Sequence, residues 1–302
     1  MTTENTKLIE TILVATDFSP TADVGLSWAL GLGKLHGARI HLVHGLLLPS
    51  QMTDFIPSPP DSGIEIRQAA LARLDETANR VREKGIEATS NLLLGVPSQN
   101  IVESAEKEGA DLIIIGTRGL SGVEHLLLGS TAERVVQRAH CPVLAVHPED
   151  AVNQPEARSI LVPTDFSKDA ERATHAALAL LREQPTDTKL TLLHVYHLPF
   201  EYTAYGTVPT SWDYFKDVEG AATDRIAEIA KPLEKEGLTV ETRTAEGYPP
   251  EVIVRVAEEI DCDMIAMGTH GRTGLAHLLL GSTAERVVQH AGCPVLTVRR
   301  GA

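Results

Sequence analysis

Cysteine is scarce in this chain. Three thiols in 302 residues, one of them without a counterpart in the repeat described below, make a poor disulfide framework and favour a reducing compartment. No apolar run approaches the roughly 18 to 20 residues that a membrane span requires. The opening MTTENTKLIE lacks the basic and apolar segments of a secretory signal. Positive charge is also in short supply, with 27 Lys and Arg against 41 Asp and Glu and a net charge of −14. A nucleic-acid backbone calls for a basic face, so it is not the expected partner, and any anionic ligand has to be held by local groups against the overall field. No Walker A lysine motif occurs anywhere. These absences predict a cytoplasmic protein with neither a membrane nor a nucleic acid as partner. The apolar fraction of 43% is ample for a packed core.

What the chain does have is one long phrase written twice. HLLLGSTAERVVQRAHCPVLAV, His125 to Val146, returns as HLLLGSTAERVVQHAGCPVLTV, His277 to Val298, with nineteen of twenty-two positions identical. Shared amphipathicity does not produce such identity, so the chain is a tandem duplication of one domain. The rest then aligns: TILVATDFS (Thr11–Ser19) with SILVPTDFS (Ser159–Ser167), and DLIIIGTRG (Asp111–Gly119) with DMIAMGTHG (Asp263–Gly271). The offset grows from 148 to 152, a net gain of four residues inside the second copy. We expect domains at 1–150 and 156–302, each about 150 residues and large enough for one core. The joint falls in the polar, proline-flanked PEDAVNQPEA.

Each copy alternates strands and helices. ILVAT is a short, wholly apolar run of the kind buried in a parallel sheet, and Pro20 opens a helical stretch to about His36. Ile40 to Val43 reads as a second strand, and Leu47 to Ser62 shows no period. Leu71, Leu74, Ala78 and Val81 recur at helical spacing, as do Ala222, Ile226, Ile229 and Leu233. Two further strand–helix units follow. Five strands with intervening helices make an α/β domain, doubly wound around a parallel sheet, whose ligands bind at the carboxyl ends of the strands.

Two segments lie there. After the fourth strand comes Gly-x2-Gly-x9-Gly-Ser: Gly116, Gly119, Gly129 and Ser130 in one copy, Gly268, Gly271, Gly281 and Ser282 in the other. Glycines let the backbone come close to an anion and leave N–H groups pointing at it. Ser130 with Glu133, and Ser282 with Glu285, have the spacing of a capping box, which predicts a helix whose positive end meets phosphate. The second segment holds Asp17 and Asp165 at the end of the first strand. An acid there accepts ribose hydroxyls or holds magnesium, and the same acid also serves as a helix N-cap. A tight connection is the bland alternative for the glycine loop, but spacing repeated in both copies favours a nucleotide site. His194 with His197 resembles a metal spacing, yet tight zinc sites need three or four converging ligands. GLGKLHG lies late in a helix, where a dinucleotide fingerprint does not belong. Cys141 and Cys293 read as buried small apolar groups.

With both loops and both strand-end acids in order, nearly the whole chain resembles a tandem universal stress protein. The resemblance implies a sheet of order 3-2-1-4-5 in each copy and ATP binding, with Mg2+ as an accompanying ion held by Asp17 or Asp165. It implies that Ala15, Gly45 and Ile115 line the first site and Pro163, Val195 and Met267 the second. Gly116, Gly119, Gly129, Ser130 and Thr131 would meet phosphates and ribose, as would Gly268, Gly271, Gly281, Ser282 and Thr283. The basic loop residue is Arg118 in one copy and His270 in the other, with Arg272 added. Ala15 and Gly45 stand where the second copy has Pro163 and Val195, which predicts a thinner adenine wall and weaker binding in the first site.

Nothing in the loops is an evident general base or transition-state lysine, so a nucleotide-dependent regulator in the stress response, acting through an unidentified protein partner, is favoured over an ATP-hydrolysing enzyme. Slow hydrolysis, and a scaffold with vestigial sites, remain as alternatives. The terminal strand of each copy would be an edge that invites another edge. The two copies are therefore expected to pair as an intrachain pseudo-dimer, with a homodimer as the corresponding arrangement between chains.

Overall fold

A computed structural model describes residues 9–47, 62–117, 128–150, 157–181, 188–196, 201–203, 206–208, 212–235, 238–271 and 280–299. The first copy runs β1 (Thr11–Ala15), α1 (Pro20–His36), β2 (Arg39–Leu46), α2 (Ser62–Glu83), β3 (Ala88–Leu94), α3 (Pro97–Glu108), β4 (Leu112–Gly116), α4 (Ser130–Arg138) and β5 (Val143–Val146). The second runs β6 (Ser159–Pro163), α5 (Lys168–Leu181), β7 (Lys189–Tyr196), β8 (Glu201–Thr203), β9 (Gly206–Val208), α6 (Trp212–Lys235), β10 (Thr239–Glu246), α7 (Pro249–Glu259), β11 (Met264–Gly268), α8 (Ser282–His290) and β12 (Val295–Val298).

Period-two alternation explains why the central strands are apolar throughout. Ile12 and Val14 of β1 enter one core and Leu13 and Ala15 the other, so a polar residue on either face would be stranded. The register is pinned by a repeated aspartate. Asp111 Oδ2 accepts from the backbone N–H groups of Glu10 and Thr11 at 2.9 and 3.1 Å, and Asp263 Oδ2 accepts from Arg158 and Ser159 at 2.9 and 2.8 Å. Each acid holds the start of β1 or β6 beside that of β4 or β11. The first helix is fixed at both ends, by Ser19 Oγ accepting from the N–H of Ala22 at 3.2 Å and by Gly37 at φ 65°.

The first copy has strand order β3-β2-β1-β4-β5 and the second β10-β7-β6-β11-β12, parallel within each. Each order is 3-2-1-4-5 when main-sheet strands are counted within a copy. The second copy departs from the plain five-strand plan by the small antiparallel pair β8–β9 inserted after its second strand. The two copies meet edge to edge, with β12 antiparallel to β5 and Leu296 opposite Leu144, giving one ten-stranded sheet. Thr297 Oγ1 donates across the seam to the Val143 carbonyl at 3.1 Å. Both cores run through it: one contains Leu144, Val146, Ile160 and Leu296, the other Val143, Ala145 and Val295.

Two side chains depart from the sequence pattern. Leu74, Ala78 and Val81 of α2 are buried, but Leu71 is 38% exposed, so the apolar stripe begins one turn later than the periodicity suggests. Cys293 is buried as expected, whereas Cys141 is only half-buried.

Candidate functional site

Parallel pairing of β1 with β4, and of β6 with β11, brings the ends of the first and fourth strands side by side in each copy. The turn leaving the first strand is determined by its own sequence, Thr-Asp-Phe-Ser. Thr16 Oγ1 accepts from Phe18 N at 3.0 Å, Asp17 Oδ1 from Ser19 N at 3.0 Å, and Ser19 Oγ caps α1. In the second copy Thr164, Asp165 and Ser167 do the same at 3.0, 3.0 and 3.2 Å. The helix cap is thus the serine, and the aspartate stands two residues earlier, held by an i to i+2 bond. This arrangement forces Phe18 and Phe166 to φ 62° and 64°, a region that bulky residues avoid.

In both copies the phenylalanine ring is held by a histidine and an arginine. Phe18 lies against His44 with ring centroids 4.5 Å apart and carries the Arg73 guanidinium 4.9 Å above it; Phe166 lies 4.3 Å from His194 and carries Arg225 at 4.4 Å. His44 Nδ1 donates to the Thr16 carbonyl at 2.7 Å and His194 Nδ1 to that of Thr164 at 2.7 Å. These histidines brace the turn. Among the described residues no cluster of acids, histidines and cysteines has the make-up of a metal centre, and His197 lies outside them.

The glycine loop is closed by its ends. Gly129 N donates to the Thr117 carbonyl at 2.8 Å, and Gly281 N to that of Thr269 at 2.9 Å. A Cβ on Gly129 would sit 3.0 Å from that carbonyl oxygen, and one on Gly281 2.7 Å from its counterpart, so neither position accepts a side chain without moving backbone. The expected capping box does not form. Gly129 and Gly281 are the N-cap residues, without side-chain caps, while Ser130 and Ser282 are already helical. Glu133 and Glu285 instead accept from Gln137 and Gln289 one turn on, at 3.0 and 3.4 Å. Glycine at the cap leaves the first-turn N–H groups of α4 and α8 without a local side-chain acceptor.

Two clefts of about 400 and 350 Å³ result. Ala15, Asp17, Gly45, Ile115, Gly116, Gly129, Ser130 and Thr131 line the first. Pro163, Asp165, Val195, Met267, Gly268, His270, Gly271, Gly281, Ser282 and Thr283 line the second. Arg118, Gly119 and Arg272 lie outside the described residues. Asp165 and Gly271 are in close apposition, since a Cβ on Gly271 would stand 2.7 Å from Asp165 Oδ2. His270 Nδ1 is 2.9 Å from Thr269 Oγ1.

The wall at Gly45 differs from the sequence expectation. A Cβ there would lie 2.6 Å from Pro97 Cβ, so the proline opening α3 packs directly against Gly45. Sequence reasoning missed Pro97 and Pro249, along with Ile101 and Ile253 and the loop-closing Thr117 and Thr269, all of which line the clefts. Their signal was available, because each pair occupies matching positions in the two copies.

The sequence model of the Universal stress protein family matches this chain twice, over residues 9–147 and 156–299. The chain belongs to the universal stress protein family. It is a tandem member, and relatives of both sizes resemble it. Universal stress protein Rv2623 of Mycobacterium tuberculosis is 28% identical over 303 residues, covering 95% of this chain and 96% of that protein. Universal stress protein MJ0531 of Methanocaldococcus jannaschii is 33% identical over 144 residues, 46% of this chain and 82% of that protein. A universal stress protein from Archaeoglobus fulgidus, solved as a crystal structure, superposes with a TM-score of 0.72 at 27% identity and covers 96% of this chain and 98% of its own. The ten-stranded tandem arrangement is therefore a universal stress protein fold.

Proposed function

We propose that this tandem universal stress protein binds one ATP in each copy and acts in the cytoplasm as a nucleotide-dependent regulator of the stress response, through a protein partner. The observation that carries the reading is the convergence, in both clefts, of a glycine-capped helix start, a clasped glycine loop and a strand-end acid. Phosphate suits the first-turn N–H groups of α4 and α8, where the helix dipole adds to their attraction. A larger residue at Gly129 or Gly281 would press on the Thr117 or Thr269 carbonyl and disturb the clasp that sets the helix start. Asp17 and Asp165 would take ribose hydroxyls or a Mg2+ ion whose other ligands are phosphate oxygens and water. Ile115 and Pro97, or Met267, Val195 and Pro249, offer apolar surface to adenine.

Regulation is favoured over hydrolysis because no lysine lines either cleft among the described residues. Phosphoryl transfer needs charge stabilisation beyond that of binding. Thermal melting of nucleotide-free protein tests the reading. Ligand at about a hundred times its dissociation constant adds roughly 2.7 kcal/mol, so ATP with Mg2+ should raise the melting temperature clearly, and an unmoved curve overturns the proposal.

A further inference from the structure

The second copy carries a pair of thiols that the first does not. Cys262 follows α7, where its N–H donates to the Ala257 carbonyl at 3.0 Å, and leads into β11; Cys293 leads through Pro294 into β12. Because β11 and β12 are adjacent and parallel, with Ile265 opposite Val295, their lead-in residues are brought together. The two sulfurs are 3.6 Å apart, in van der Waals and weak hydrogen-bond contact, and the residues are 7% and 8% exposed. In the first copy Ala110 stands at the position of Cys262, so Cys141 has no cysteine facing it. The pair lies at the amino ends of the strands, whereas the nucleotide clefts lie at the carboxyl ends.

We infer that Cys262 and Cys293 form an oxidation site, at which a peroxide converts the two thiols to a disulfide tying the start of β11 to the start of β12. One sulfur attacks a peroxide oxygen and the O–O bond breaks. That sulfur becomes a sulfenic acid, and the other oxygen leaves as water, or as an alcohol when the peroxide is organic. The second sulfur then displaces the sulfenic hydroxyl as a further water, forming the S–S bond. Two electrons pass from the thiols to the peroxide, and the two thiol protons end on its two oxygens. The sulfurs close by about 1.5 Å to reach a bond of roughly 2.05 Å.

The hydrogen bond in which the Cys293 S–H donates to Cys262 Sγ, together with burial, pushes the Cys293 thiol up. The thiolate is the nucleophile, so oxidation is slow at neutral pH and faster in alkali. The site responds to sustained oxidant. Once formed, the disulfide closes a chain loop, which constrains the unfolded state and raises the melting temperature. The inference does not rest on the nucleotide reading, and its readouts are mass and thiol labelling.

The test uses the full chain with Cys141→Ser, to remove cross-links between molecules. It is incubated with hydrogen peroxide at neutral and at mildly alkaline pH, then unfolded, alkylated and mapped by peptide mass. The expected result is a joined peptide pair containing Cys262 and Cys293, unalkylated, lighter by two hydrogen atoms, formed faster at the higher pH and separated by dithiothreitol. Cys262→Ala, which restores the residue that the first copy carries, should fold and lose the cross-link. Full alkylation of both cysteines after an exposure that oxidises free glutathione completely, or conversion of either to sulfinic acid without cross-linking, would overturn the assignment.

Discussion

The Nε2 atom of His147 lies 2.7 Å from the carbonyl oxygen of Val288. His147 follows β5 of the first copy and Val288 lies in α8 of the second, so this bond crosses the seam. The opposite ring nitrogen is 3.2 Å from Asp150 Oδ2, which also accepts from the His147 backbone N–H at 2.6 Å. Trp28 Nε1 reaches the Asp150 carbonyl at 3.4 Å. The matching residue of the second copy is Arg299, so the bridge is made once and the two halves of the seam are not equivalent.

His147→Leu should therefore destabilise the chain well beyond an ordinary surface change. It removes the cross-seam partner of the buried Val288 carbonyl, and a buried group left unpaired costs about 1–3 kcal/mol, while Asp150 Oδ2 loses its ring contact and keeps the His147 backbone N–H. Urea denaturation checks this: the midpoint should fall clearly for His147→Leu, and Arg299→Leu should stay within about 0.5 kcal/mol of the parent. Equal effects would remove any special role for the bridge.

Gly45→Val, which copies the second site's residue into the first, should not improve nucleotide binding. Its Cβ would meet Pro97 Cβ at 2.6 Å, and such overpacking costs about 1–3 kcal/mol. Melting temperature and ATP affinity should both drop. A tighter first site would instead vindicate the thinner-wall reading of the sequence.

The parts legible in the sequence were those that the repeat spells out twice. Alternating apolar strands, Pro20 at a helix start and the order of the motifs sufficed for the α/β fold, and the glycine spacing located both clefts. Three-dimensional compensation was not legible. That Pro97 fills the space beside Gly45 depends on the approach of α3 to β2, and nothing local to either residue records it. The Ser–Glu spacing suggested a capping box, but the clasp between Gly129 and the Thr117 carbonyl starts the helix one residue earlier. The strained Phe18 and Phe166 were visible only as part of a Thr-Asp-Phe-Ser string, because their φ angles follow from hydrogen bonds to Thr16 and Thr164 and from contact with histidines 26 and 28 residues away.

Acid should weaken the fold partly through His41. It is 5% exposed in β2, bonded to Thr89 Oγ1 at 2.7 Å and 3.4 Å from Ser104 Oγ. Burial lowers its pKa, opposed by Glu108 and assisted by Arg39 and Lys107. As pH falls below the unfolded value of about 6.5, the unfolded chain takes up the proton first. The stabilisation is therefore present above that pH and lost on acidification. The second copy has Thr191 at this position. His41→Thr should flatten the decline in urea midpoint between about pH 7 and pH 5, and an unchanged decline would assign the acid sensitivity elsewhere.

Calorimetric titration of nucleotide-free protein with Mg-ATP tests the central claim most directly. Gly129→Val and Gly281→Val place a side chain against the Thr117 and Thr269 carbonyls, where a Cβ has only 3.0 and 2.7 Å. The parent chain should bind two ATP, each single variant one, and the double variant none. An absence of binding by the parent, or a stoichiometry that neither glycine substitution changes, would contradict the account.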